Sequence, residues 1–376
     1  TYRANIFNAG YPIDGSPSSP SIGYDAASFG NPNAKWETTT SNNLGLDASL
    51  FNSALTFEID FWNRKTTDML FSIPLTFTVG DAGAPSFNVG EMNNKGVDLG
   101  ITYRNTIGGD LRYSVSGNYS MYRNEVIRLT ESDQTKFFGY GSRVPAVTVT
   151  QAGLPISSFF GYQVLGIFQS DEEAKAWAPY ENYNKAGKFK IADINQDGVI
   201  TDADRTVIGN PHPKFNYGIN LNIGYKAFDL TLFGNGVVGN DIFNYVRYFA
   251  DFNTFQGNRS TRALYDAWQP SNPGGTVPIM DANDQISSRP STYFLEKGTY
   301  FRMKNVQLTY SLPRNISNKI GFSNAQVYVQ GQNLFTITKY SGLNPEIQTG
   351  VDNTLGFDGG YMPVSRNLLL GINISF

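Results

Sequence analysis

The sequence lacks cysteine, has one histidine and is poor in charge, and each shortage excludes a class of protein. Without cysteine there is no disulfide framework. With His212 alone and no thiolate, a zinc or iron site is not expected. Charged residues make up 16% of the 376 residues, and the formal net charge of −3 includes no basic cluster, which argues against nucleic acid as a partner. No apolar stretch reaches the ~18 residues of a spanning α-helix.

The sequence is instead rich in aromatic residues, with 27 Phe and 22 Tyr, and in alternating apolar and polar residues. Successive side chains of a strand point to opposite faces, so each alternating run predicts a strand with one apolar face. Most of the runs approach the ~9–11 residues of a transmembrane β-strand. Nine runs follow this pattern: 44–50, 55–61, 97–103, 111–121, 215–225, 230–237, 306–312, 325–331 and 368–376.

The connections between these runs alternate between short and long, as they do at the two rims of an outer-membrane barrel. The predicted short ones are 51–54, 105–110, 225–228 and 313–324. The predicted long ones are 71–95, 124–213, 241–298 and 336–363, with short helices at 171–178 and 261–268. The pattern predicts an all-β fold, a transmembrane antiparallel up-and-down β-barrel whose long loops are extracellular. The longest of them is the loop region 124–213.

The number of predicted strands and the identity of the first residue both indicate whether the sequence is part of a longer polypeptide. Nine is odd, whereas single-chain bacterial barrels close with an even number. Residue 1 is Thr, and no signal-peptide apolar region precedes the first run. We therefore expect residues 1–376 to be the C-terminal part of a longer polypeptide.

The segment 193–204, within the longest loop, has the ligand spacing of a calcium loop. Gly198 permits the sharp turn, and Ile200 is expected to point inward. We expect Ca²⁺ in preference to Mg²⁺, bound to stiffen the loop; the alternative is an Asx-rich turn without metal. The predicted ligands are the side chains of Asp193, Asn195, Asp197 and Asp204 and the carbonyl of Val199.

Catalysis has little support in the sequence. Glu58 and Asp60 lie on one strand face and are interpreted as lining a hydrated lumen, and His212 is interpreted as a loop residue between two prolines. The chain is therefore not expected to be an enzyme. The loops also carry aromatic residues, for which three roles are open: they pack the loops together, offer faces to sugar rings or seat a partner protein. They are Phe159, Phe160, Tyr162, Tyr180, Tyr183, Tyr245, Tyr248, Phe249 and Trp268.

Seven segments along the chain carry distinctive motifs. They are GNPNAKWETT at 30–39, NKGVD at 94–98, GLPISSFFGY with GIFQ at 153–169, DINQDG through GNP at 193–211, WQPSNP at 268–273, FRMKN at 301–305 and GQNLFT at 331–336. In this order they resemble the SusC/RagA family of TonB-dependent outer-membrane transporters. Asp98 replaces the glutamate that is commoner in that family.

The resemblance implies that the nine strands are the last of about 22 in a barrel of the bacterial outer membrane. It implies TonB-energised import of large nutrients, oligosaccharides or peptides. The implied partners are outer-membrane lipid, a SusD-like surface lipoprotein and the TonB–ExbB–ExbD complex. The family's plug, TonB box and signal peptide are not found within these residues. The alternative is a secreted or surface β-sandwich adhesin or binding module with a calcium-stabilised loop, whose apolar faces would be buried between two sheets.

Overall fold

The computed structural model describes residues 31–72, 86–130, 136–139, 141, 143–252, 257–319, 321–347 and 354–376, with the backbone of four short strands before residue 30. Nine long strands form one sheet. They are β1 (Thr38–Leu50), β2 (Leu55–Ser72), β3 (Ser86–Ile107), β4 (Leu111–Arg128), β5 (Phe215–Tyr225), β6 (Phe228–Val238), β7 (Tyr300–Ser311), β8 (Asn324–Thr338) and β9 (Asn367–Ser375).

Each long strand pairs antiparallel with its neighbours in sequence, so the sheet has up-and-down topology. Among the described residues the sheet is open, with β1 and β9 at its edges. One end, which we call the turn end, carries the connections 51–54, 108–110, 226–227 and 312–323. The other, the loop end, carries 73–85, 129–214, 239–299 and 339–366. The predicted alternation of connections is therefore present.

The register places apolar residues opposite apolar residues through the whole sheet. Because side chains alternate with a period of two, a slip of one residue in any strand would break this match. One row of paired residues on the apolar face runs through all nine strands: Leu50, Leu55, Tyr103, Val115, Leu221, Leu232, Val306, Gly331 and Leu368. The adjacent row on the other face is polar except at Phe233: Ser49, Thr56, Thr102, Ser116, Asn220, Phe233, Asn305, Gln332 and Asn367.

The apolar face is exposed although it is large. Leu44 is 74% exposed, and Leu370 on the opposite edge strand is 76% exposed. A strand of 11 residues such as β5, tilted by about 40°, rises about 28 Å, close to the ~25 Å apolar band of an outer-membrane barrel. The face therefore has the extent and chemistry of a lipid contact.

Strand occupies both ends of the predicted long loop 71–95, at residues 71–72 and 86–95, which corrects the predicted bounds of that loop. β2 continues to Ser72 and β3 begins at Ser86, and the two pair along this extension with irregularities near Met69. The extension begins with residues that are polar on both faces, since Asn63, Arg64 and Lys65 follow one another. Beyond the apolar band both faces contact water, so pairing no longer needs alternation. Likewise β4 continues to Arg128, and the next connection begins at 129.

The segment 331–336, which carries the GQNLFT motif, contains a β-bulge of β8. Met303 pairs with Phe335 and Asn305 with Gln332, so two residues of β8 are opposite one of β7. Asn333 in the bulge has φ 51°, a left-handed conformation that asparagine tolerates better than most residues.

Shorter elements fill the loop-end connections. Four strands form one sheet: Lys136–Phe138, Thr148–Gln151, Ser158–Gly161 and Thr206–Gly209. Val164–Ile167 pairs with Phe189–Ile191, and Asp241–Asn244 pairs with Leu295–Lys297 and Phe357–Asp358. The helices are α1 (Asp171–Ala176), α2 (Val246–Ala250), α3 (Thr261–Tyr265) and α4 (Arg314–Lys319), with 3₁₀ turns at Asp202–Asp204 and Thr292–Phe294.

Both predicted helices are present, as α1 and α3, although each ends earlier than predicted. α1 begins after Ser170, whose side chain accepts the Glu173 N–H, and its first turn is acidic. In the part of the chain that the structure describes, no helix has the length and apolarity needed to cross a membrane.

Candidate functional site

Described parts of three loop-end connections, 129–214, 239–299 and 339–366, pack together around one aromatic core. Phe243 is central to it: its ring contacts Phe159 from 129–214, Phe294 from its own connection and Phe357 from 339–366, with centroids 5.2–6.0 Å apart. The Phe243 N–H also donates to the Gly356 carbonyl at 2.9 Å. Three separate connections therefore form one unit, which we call the loop assembly.

The aromatic residues of the loops mostly belong to this core. Of the nine that were considered for sugar contact, eight are buried, and Phe249 is 36% exposed. Buried rings cannot stack on a ligand at the surface, so for those eight the packing interpretation is right. The eight buried residues are Phe159, Phe160, Tyr162, Tyr180, Tyr183, Tyr245, Tyr248 and Trp268.

The candidate calcium loop follows the strand Phe189–Ile191 and is held by two Asx-type turns. Asn195 Oδ1 accepts the Asp197 N–H at 3.1 Å, and Asp197 Oδ1 accepts the Val199 N–H at 2.9 Å. Asp193 Oδ2 accepts the Gly198 N–H at 2.9 Å, while Asp193 Oδ1 is buried with no hydrogen-bond partner. An orphaned carboxylate oxygen at the first ligand position fits a cation.

Asp204 departs from the ligand pattern. It is fully buried, and its carboxylate accepts the N–H groups of Ile194 at 2.9 Å and Thr201 at 2.8 Å. Oδ2 thus caps the 3₁₀ turn Asp202–Asp204, while Oδ1 holds the start of the loop through the Ile194 N–H. Within the described ranges, no three or more His, Cys, Asp or Glu side chains are grouped so as to hold a metal ion. The first position therefore fits a cation, and the last has a structural use of its own.

Two features fix this loop to the assembly. Ile200 is buried, as expected, and its N–H donates to the Pro179 carbonyl at 2.8 Å. The Tyr162 hydroxyl donates to Asp202 Oδ1 at 2.7 Å and accepts from Tyr180. Burial, together with these hydrogen bonds, raises the pKa of Tyr162, so it remains a neutral donor.

His212 is a half-buried structural residue at the entrance of β5. Its Nε2 lies 2.9 Å from the Ile156 carbonyl, which can only accept, so Nε2 carries the proton. Nδ1 then accepts from the Tyr122 hydroxyl at 3.1 Å. Burial lowers the pKa of His212, and the bond to Ile156 partly offsets that effect. The interpretation of His212 as a loop residue without a catalytic role is consistent with this geometry.

Glu58 and Asp60 lie on the polar face of the sheet, where they pair with Asp47 of β1 and Asp98 of β3, respectively. Asp98 accepts hydrogen bonds from Trp62 Nε1 at 2.8 Å and from a serine of β4. This is the placement expected for residues lining a hydrated lumen. The Trp62 bond also gives the carboxylate at position 98 a structural role.

Sequence reasoning missed a partly buried ionic cluster at the loop end of β7. Arg302 is 4% exposed and contacts Glu346 at 2.6 Å, Asn344 at 2.7 Å and Thr336 at 2.8 Å. Lys304 reaches the same Glu346 at 2.7 Å. The cluster fastens the start of the 339–366 connection to the polar face. The motif at 301–305 contains both cations, but their acidic partner Glu346 is 44 residues from Arg302 and 42 residues from Lys304 along the chain.

The exposed apolar face, the polar opposite face and the loop assembly define the class of protein: an arc of a membrane-spanning antiparallel β-barrel. The model of the family "TonB dependent receptor-like, beta-barrel" matches residues 1–237. The chain belongs to this family of outer-membrane β-barrel proteins. The family consists of TonB-dependent receptors, so the prediction that the chain is not an enzyme is confirmed.

Relatives match nearly the whole chain. The chain is 34% identical over 357 residues to TonB-dependent receptor P3 of Formosa agariphila, covering 93% of this chain and 35% of that protein. It is 28% identical over 357 residues to TonB-dependent receptor SusC of Bacteroides thetaiotaomicron, covering 92% of this chain and 32% of that one. The chain therefore spans about a third of the curated relatives it matches.

Among solved structures, the chain is similar to a chain of the RagAB peptide transporter, with a TM-score of 0.79 and 25% identity. The match covers all of this chain and 38% of that chain. The resemblance to the SusC/RagA family, the β-barrel fold and the outer-membrane location are thereby confirmed.

Proposed function

We propose that the protein imports large nutrients, oligosaccharides or peptides, across the bacterial outer membrane, driven by TonB. The observation that carries the proposal is the sheet itself, with one face suited to lipid and a polar face suited to a hydrated lumen. The likeness to SusC and to the RagAB peptide transporter supports it. The whole barrel, its plug and its contact with TonB–ExbB–ExbD belong to the proposal, as does the extracellular position of the loop end.

The proposal includes a SusD-like surface lipoprotein on the loop assembly. Two apolar side chains of α3, Leu264 and Tyr265, are 65% and 73% exposed, respectively, and are suited to contact a protein partner. The neighbouring α2 is tied to this helix, since the Ser260 N–H donates to the Ala250 carbonyl at 2.8 Å.

Uptake in the native bacterium tests this function. We expect deletion of the full-length gene to lower uptake of one labelled class, oligosaccharides or peptides, by at least about tenfold. Dissipating the proton-motive force should have the same effect, because TonB transmits that energy. Unchanged uptake of both classes would contradict the proposal. Independently, a photo-crosslinker at Tyr265 should capture the lipoprotein, and one at Ile219 on the apolar face should not.

We also propose that the loop 193–204 binds Ca²⁺, with Mg²⁺ as a weaker ligand. The orphaned Asp193 Oδ1 supports this, together with the oxygen donors of Asn195 and Asp197 and the Val199 carbonyl. Asp204 enters the ligand set by giving up one of its backbone contacts. The ion would stiffen the loop, whose 3₁₀ turn is already tied to the core through Tyr162.

Calcium removal tests the second proposal on the full-length protein in detergent. With a chelator we expect faster proteolysis within 193–204, reversed by added Ca²⁺. Asp193→Asn should weaken calorimetric Ca²⁺ binding by at least about tenfold, because it removes a ligand charge. Asp202→Asn is the matched control, since Asp202 is acidic and in the same loop but outside the ligand set. Equal Ca²⁺ binding by the two variants, or no effect of the chelator, would count against the site.

A further inference from the structure

A groove on the apolar face of β1–β4 has a mixed lining that the transport function does not require. It is bounded by two consecutive rows of paired residues and has a volume of about 580 Å³. The row nearer the middle of the sheet is apolar: Leu44, Phe61, Val97 and Met121. The next row towards the loop end is polar and cationic: Asn42, Asn63, Lys95 and Arg123.

The two cations of this groove lie side by side without a counter-ion. Lys95 and Arg123 are directly paired in the β3–β4 ladder, where like charges repel. Both are exposed, and neither side chain has a hydrogen bond or ion pair with any residue that the structure describes. By contrast, Lys65 in the following row is neutralised by Glu91 at 2.7 Å. Glu125 also lies in that same row, opposite Asn93, and does not pair with either cation of the groove. The unneutralised pair of Lys95 and Arg123 therefore favours binding of an external anion.

The level of the groove within the membrane indicates the kind of anion that it binds. The cationic row begins where the apolar band ends, at the boundary between acyl chains and head groups. Long basic side chains at this level extend toward the head groups, and a basic residue there costs little. Arg also binds phosphate oxygens in a bidentate manner. A soluble anion would leave the apolar row below it unused, whereas a phosphorylated lipid would cover both rows.

We propose that this groove binds a phosphorylated lipid of the leaflet that faces the long loops. Lys95 and Arg123 contact the phosphate, and the row from Leu44 to Met121 contacts the acyl chains. The site is independent of the nutrient that is transported and rests on the membrane-spanning fold alone. Bound lipid would neutralise the repulsion within the β3–β4 ladder and stabilise this part of the barrel.

Native mass spectrometry of the full-length protein in a neutral detergent tests the proposal. The probes are a diphosphorylated lipid A, the same lipid with its phosphates removed, and inorganic phosphate. Each cation near an anionic lipid surface contributes roughly fivefold in affinity, so Lys95→Gln with Arg123→Gln should weaken binding of the phosphorylated lipid by about thirtyfold. Arg64→Gln is the matched control, because Arg64 is an exposed cation of β2 on the opposite face.

The expected result is retention of the phosphorylated lipid by the parent protein and by Arg64→Gln, with weak binding of the dephosphorylated lipid. The conservative pair Lys95→Arg with Arg123→Lys should also retain it and shows that charge is what matters. Binding by the double glutamine variant that equals the parent's would overturn the proposal. So would full competition by inorganic phosphate, which would indicate a site for a free anion, or equal binding of both lipids, which would indicate an apolar surface alone.

Discussion

Leu221→Arg is expected to prevent stable assembly of the barrel. Leu221 lies near the middle of β5 in the row of paired apolar residues that crosses all nine strands, between Val115 and Leu232. An arginine on the lipid face near the bilayer midplane destabilises a barrel by about 2–4 kcal/mol. The fraction of full-length protein that resists heat-induced unfolding in detergent, seen as a shift on gels, measures the effect.

Asn222→Arg is the matched control for that variant. Asn222 is the next residue of β5 and points to the polar face, where it accepts a hydrogen bond from Thr231 at 2.9 Å. It lines a groove of about 750 Å³, so a longer polar side chain has room on this face. We expect near-normal assembly. Equal tolerance of the two variants would contradict the assignment of the faces.

Phe243→Ala is expected to have the second large effect, confined to the loop assembly. The ring is buried and contacts aromatic residues from three connections, including Phe159 and Phe357. Removing a buried phenylalanine side chain destabilises its surroundings by roughly 3–5 kcal/mol. We expect the connections 129–214, 239–299 and 339–366 to become sensitive to protease together, while the barrel remains heat-resistant.

Leu264→Ala serves as the control for the loop variant, because Leu264 belongs to the same connection as Phe243 but is 65% exposed. It should leave protease sensitivity unchanged. If Phe243→Ala affected its own connection alone, the three connections would not form one unit and the description of the loop assembly would be wrong.

The barrel strands could be predicted because lipid on one face and water on the other impose a period of two on the sequence. That constraint acts within a strand and can be read locally, as in β5. It ends where the apolar band ends, so the extension of β2 and β3 through Lys65 and Asn93 left no alternation to detect. The bulge at Asn333 was likewise invisible, since it changes pairing and leaves composition unaltered.

The loop assembly was less predictable because its contacts join residues that are distant in sequence. Arg302 and Glu346 were both visible as charges, but nothing local indicates that they meet. The aromatic residues were recognised, and their burial followed from three connections converging on Phe243. In the candidate calcium loop, spacing predicted the ligand order but not the use of Asp204 as a cap.

The central claim is that one face of the sheet contacts lipid and the other a hydrated lumen. Its most direct test is single spin labelling at each position of β5, which the absence of cysteine in this chain simplifies. Accessibility to oxygen and to a water-soluble nickel chelate would be measured in the reconstituted full-length protein. The account predicts oxygen access at Tyr217, Ile219 and Leu221, and nickel access at Asn220 and Asn222. Low access of both reagents at all five positions would mean that both faces are buried against protein, and would contradict the barrel.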